Sequence, residues 1–317
     1  MPGTDEYSPG LAGRAAAAFA NSVPTRPADD GLFGPGSVTW RLAGSMTAPV
    51  VGIRALLLQA LHPLAMAGVD QHSTWRTDPG ARLASTSAYE ITVSFGEVAA
   101  AQAATARVRK IHSFIRGTDP ATGKPYAADD PALLLWVHNA LVDSQLACTR
   151  LYATITPDDA DRYVREQVAA AEIIGIPSGL VPASAAGLAA YFDAVRPELT
   201  CTPAAAEAMS YLVDYVGGAD QGPADPAGPL PEEAEMWQDV CDAAIAALPD
   251  WAVGLYADHV PQVREAINRF SDISTNSRTA VRQALGVLDT VFMAEPGVIE
   301  ARQRIQLRIR AAERAAQ

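Results

Sequence analysis

His112 is the residue whose setting most invites chemistry. It stands in the run Arg109-Lys110-Ile111-His112-Ser113-Phe114-Ile115-Arg116. Ile91, Phe95, Val98, Ala101, Thr105, Val108, His112 and Ile115 recur at steps of three and four, which is one face of a helical period. The imidazole therefore points toward a core, while Arg107, Arg109, Lys110 and Arg116 fall on other faces. Two readings follow. A ring nitrogen in an apolar wall can hold a haem iron, with guanidinium groups at the pocket mouth, Arg116 among them, meeting the propionates. A core histidine bonded to a backbone group has the same surroundings. Spacing alone leaves both open.

Arg82 and Thr86 are spaced i and i+4 behind the helix start Asp78-Pro79, so they share one helix face. Side by side they could face a bound oxygen species or a propionate. The plainer alternative is a surface arginine beside a threonine bonded back to its own helix. His138 lies between Leu134 and Leu141 on a strongly apolar stretch and needs a partner there, either a propionate or another core group. His62, before Pro63, reads as structural, and His72 and His259 sit in loop-like contexts. HExxH, Glu-x-x-His, Gly-x-Ser-x-Gly and a phosphate loop after a strand are all absent. For an all-helical chain with isolated buried histidines, haem with one axial ligand is the remaining metal option.

Composition narrows the partners. The net charge of −12 argues against nucleic acid or an anionic membrane as the main partner. Cys148, Cys201 and Cys241 form no CxxC and no CxxCH, so a reducing compartment is expected. The N-terminus carries no signal pattern, and the apolar run near 49–69 is broken by Arg54, Gln59 and His62. It falls short of the roughly 20 apolar residues that span a bilayer. A soluble cytoplasmic protein without a transmembrane segment is the expectation.

The elements that must position these residues are helices. Asp78-Pro79, Asp130-Pro131, Thr156-Pro157 and Thr202-Pro203 each place a capping oxygen before a proline at the first helical position. Gly175 and Gly217-Gly218 read as stops, as does Gly68, and His62-Pro63 should kink or end the helix begun near Pro49. No convincing strand alternation appears. The reading is one large all-α domain of about ten helices, a globin-like or bundle-like core over 41–295. An N-terminal arm at 1–40 precedes it, and an arginine-rich C-terminal helix or tail at 296–317 follows, either solvated or used for homo-oligomer contacts. Residues 217–231 form a long loop, and the helices after it are placed at 232–247, 249–269 and 275–293.

Taken in order, Leu61-His62-Pro63, Gly68, Arg82-x-x-x-Thr86, Phe95-Gly96-Glu97, His112, Gly117, Tyr126-x-Ala128-x-Asp130-Pro131 and Leu135-Trp136-Val137-His138 resemble a known family. It is that of the rubber oxygenase (latex-clearing protein) and mycophenolic-acid ER-bound oxygenase catalytic domain, and the likeness runs over about 40–290. The resemblance implies a helical fold holding haem b, His112 as the proximal iron ligand, and Arg82 and Thr86 on the other side of the porphyrin. The chain departs from the latex-clearing proteins in two places: Ser85 stands where they carry a lysine, and Ala60–Val69 contains no carboxylate where they use a glutamate base. The implied activity is a haem-dependent oxygenase using dioxygen or peroxide on a mostly apolar small organic substrate. The alternative is a carrier or sensor that binds haem or a lipophilic molecule without turnover. Thr86 and His112 are 26 residues apart, which is about 39 Å on one straight helix. Facing one porphyrin therefore requires a break, expected between Ser94 and Ala101.

Overall fold

The computed structural model describes residues 17, 19–45, 47–216, 231–271 and 296–315. Helices dominate them. In chain order they are α1 (Val38–Ala43), α2 (Ala48–Ala60), α3 (Pro63–His72), α4 (Pro79–Phe95) and α5 (Val98–His112). A two-stranded hairpin, β1 (Arg116–Thr118) and β2 (Pro125–Ala127), follows. Then come α6 (Pro131–Tyr152), α7 (Pro157–Ile174), α8 (Ala185–Val195), α9 (Pro203–Val216), α10 (Pro231–Ala246), α11 (Asp250–Ala257), α12 (Pro261–Ser271) and α13 (Pro296–Ala315).

Local chemistry explains most of the boundaries. The side chains of Asp78, Asp130 and Thr156 accept backbone N–H bonds from Ala81, Ala132 and Asp159. Thr202 Oγ1 does the same for Ala205 N–H. Each is followed by proline at the position where a missing N–H costs nothing. Gly175 ends α7 at φ 107°, the left-handed conformation an L side chain avoids. The chain bends by 105° between α2 and α3 at His62-Pro63.

Four expectations change. Gly68 does not stop a helix; α3 runs through it to His72, so that histidine closes a helix rather than sitting in a loop. The stretch 249–269 is two helices, because Pro261 starts a new one after the turn at Asp258–Val260. A short antiparallel hairpin exists, with Arg116 opposite Ala127 and Thr118 opposite Pro125; three residues per strand are too few to show alternation. The arginine-rich tail is docked, not simply solvated. Val298, Ala301 and Ile305 are buried, Arg308 stacks 4.6 Å over Trp40, and Arg304 and Arg302 donate to the carbonyls of Val23 and Gly44. The segments 217–230 and 272–295, with the expected loop and last helix, lie outside the described residues.

α6 is the central buried helix, packed along α2. Arg54 ties that core together. Its guanidinium donates to Asp143 at 2.8 Å, Ser144 at 2.7 Å and the Ala247 carbonyl at 2.8 Å. Among the described residues no single helix is long and apolar enough to cross a membrane.

Candidate functional site

The break needed to bring His112 near Arg82 lies at Gly96-Glu97. α4 ends at Phe95 and α5 begins at Val98, and the two pack against each other. A Cβ on Gly96 would fall 2.4 Å from the Thr92 carbonyl oxygen, so a side chain here would force this turn apart. The turn is held from outside. Asp29 Oδ1 accepts from Val98 N–H at 3.0 Å, and Phe95 packs edge-on to Trp40 at 5.3 Å. The apolar stripe that runs unbroken through the sequence is therefore two stripes facing one interior. Phe95, Ala101 and Thr105 are buried, while Val108 and His112 are half-buried toward the far end.

That geometry puts Arg82 in the electrostatic neighbourhood of His112. Burial, then the Arg82 charge, hold the imidazole below its usual pKa, and Asp129 opposes them. His112 Nδ1 is buried and meets no hydrogen-bond partner. Arg82 donates to Thr86 Oγ1, and Thr86 donates back to the Arg82 carbonyl at 3.0 Å. Arg82 is half-buried, and desolvation lowers its guanidinium pKa. No carboxylate among the described residues pairs with it.

His112 also borders a cleft of ≈ 470 Å³ lined by Arg109, Lys110, Ser113, Asp129, Leu134 and Gly175, among others. The turn after β2 contributes Asp129 to one wall. Ala128 N–H bonds the Ile115 carbonyl at 2.9 Å, which sets Asp129 at the cleft and Asp130 as the cap of α6. Arg116 sits on β1 and pairs with Asp129 at 2.8 Å, so it reaches the cleft through that carboxylate. His138 is one turn beyond Leu134 on α6. Its Nε2 is buried and unpartnered, and burial pushes its pKa down to about 4. An orphan nitrogen is not by itself a site: His62 Nδ1 lacks a partner too, and its ring lies 5.8 Å from that of Trp136 in the core. His112 differs in having an unmatched cation and an open cleft beside it.

A model of the family described as ER-bound oxygenase mpaB/B'/Rubber oxygenase, catalytic domain, matches residues 40–273. The chain belongs to that family. The match spans Arg82, Thr86, His112, Arg116 and His138 and stops before α13. No curated protein and no solved structure matches the chain.

Glu90 is the residue the sequence reading missed. It follows Thr86 by one turn on α4. It is half-buried and makes no hydrogen bond, and desolvation pushes its carboxyl up to about 7. Tyr89 and Tyr163 lie in its electrostatic reach. The i, i+4, i+8 spacing Arg82-Thr86-Glu90 was the available signal, but a lone glutamate on a helix is usually solvated.

Proposed function

We propose that the protein is a haem-dependent oxygenase acting on a mostly apolar organic substrate. The observation that supports this reading is a half-buried Arg82, with no carboxylate partner among the described residues, near a neutral His112 that has an orphan ring nitrogen. Among the described residues no three His, Cys, Asp or Glu side chains converge as a metal site. A macrocycle that brings its own equatorial ligands needs only one such histidine. The residues fit that group. Desolvation keeps His112 in the neutral form that ligates iron. Arg82 would neutralise a propionate or an anionic oxygen species, and Arg109 and Lys110 stand at the cleft mouth for a second propionate.

A b-type haem held there would supply the redox chemistry by which an oxygenase uses dioxygen. The chain's own residues do the rest. Thr86 holds the Arg82 guanidinium in place. Glu90, with its carboxyl raised to about 7, is partly protonated near neutral pH and can hold or release a proton there. His138 stays uncharged on the α6 wall. Purified or haemin-reconstituted protein is expected to show a Soret band, and His112→Ala is expected to abolish it. A His112→Ala protein with full haem content and an unchanged band overturns the reading.

One feature favours a second reading, a haem carrier or sensor without turnover. Thr86 spends its hydroxyl proton on the Arg82 carbonyl, so it has none to give a bound oxygen species. A Soret band that shifts with cyanide, together with dioxygen consumption in the presence of a reductant, supports the oxygenase; a bound haem that does neither supports the carrier.

A further inference from the structure

The last turn of α5 carries apolar bulk on its outside. Arg107, Lys110, Ile111 and Phe114 follow one another at i, i+3, i+4 and i+7, so they form a single face continuing past the helix end. All four are exposed. Phe114 is 76% and Ile111 53% exposed, two of the five large hydrophobics left exposed among the described residues. The opposite face of the same helix is the buried one, with Ala101 and Thr105 closed in the core. Among the described residues no packing contact accounts for an aromatic ring left in water here.

The charge around it is mostly basic, with Asp129 the nearby carboxylate and paired with Arg116. The chain as a whole is acidic at −12, yet residues 98–118 hold four cations, Arg107, Arg109, Lys110 and Arg116, and no Asp or Glu. Screening confines surface fields to about 8 Å in physiological salt, so this local sign, not the net charge, governs what approaches the face. A ring and a branched aliphatic flanked by Arg and Lys match a lipid interface, with apolar groups entering the acyl boundary and cations meeting phosphates.

We propose that the α5 end, through Phe114, Ile111, Arg107 and Lys110, docks on an anionic lipid surface. Lys110 and Ser113 also line the cleft beside His112. Docking therefore turns the cleft mouth to the bilayer, and the substrate would be an apolar molecule that partitions into lipid. That last step rests on the proposed oxygenase function; the docking itself does not.

The test is sedimentation of the full-length protein with phosphatidylcholine vesicles and with mixed phosphatidylcholine–phosphatidylglycerol vesicles, with and without haemin. Binding to the mixed vesicles that weakens with salt is expected. Phe114→Ser should weaken it about ten-fold. Arg107→Gln and Lys110→Gln should each cost about five-fold on mixed vesicles and leave phosphatidylcholine binding unchanged. All these positions are exposed, so unchanged urea midpoints check that the variants fold. Wild type that stays in the supernatant with both vesicles overturns the proposal, as does Phe114→Ser that sediments like wild type. Light scattering that finds a dimer split by Phe114→Ser also overturns it and gives the face to a second copy. Vesicle binding by protein that never takes up haemin keeps the docking and sinks the cofactor reading, so the two fail separately.

Discussion

Arg54 and Arg82 are arginines on helices of the same fold, one buried and one half-buried, and they are treated in opposite ways. Arg54 is 2% exposed and spends its guanidinium on a carboxylate, a hydroxyl and a carbonyl. Arg82 has its own helix's threonine and no anion. Around Arg54 every polar group the cation reaches is matched, and the result is a cross-link between α2, α6 and the end of α10. Around Arg82 the imidazole of His112 also lacks a partner at Nδ1. A partly desolvated cation without an anion gains little from the fold and has room for an anion brought from outside. The contrast separates a cation matched within the fold from one the fold leaves without an anion.

The contrast can be broken by substitution. Arg54→Ala should be the most damaging change, because it strands Asp143, Ser144 and the Ala247 carbonyl together. A loss of about 4 kcal/mol in urea denaturation is expected, and a loss under about 1 kcal/mol would mean that the network is dispensable. Glu90 comes next. Its carboxyl stands at about 7 in the fold against 4.5 when exposed. Below pH 4.5 both states hold the proton. Between 4.5 and 7 the unfolded chain releases it first, so stability falls as pH rises and levels off above 7. The drop is of order 3 kcal/mol, and Glu90→Gln should flatten it in urea midpoints measured across that range. Arg82→Ala should move stability by less than about 1 kcal/mol. The same variant should weaken haemin binding about ten-fold in a Soret titration. An Arg82→Ala protein that unfolds like Arg54→Ala would erase the distinction.

The elements were legible to different degrees. Asp78-Pro79 and Thr156-Pro157 announce their helices because a cap and a proline act within one turn. The Gly96 break was legible only through a distance argument, since the apolar pattern runs across it without interruption. The β-hairpin was missed because three-residue strands carry too little pattern, yet it is what delivers Asp129 to His112. Arg302, Arg304 and Arg308 look solvated in one dimension. They are not, because Trp40 and the carbonyls of Val23 and Gly44 come from the far end of the chain.

From the sequence alone come the helical class, the starts of the main helices, the family likeness and the suspicion that falls on His112 and Arg82. All of these depend on residues within a few positions of one another or on their order along the chain. Which cation is matched and which is left waiting was decided only in three dimensions. The partners of Arg54 lie 89, 90 and 193 residues away. Hydrogen-bond satisfaction is a property of neighbours in space, and no local pattern records whether such a neighbour arrives.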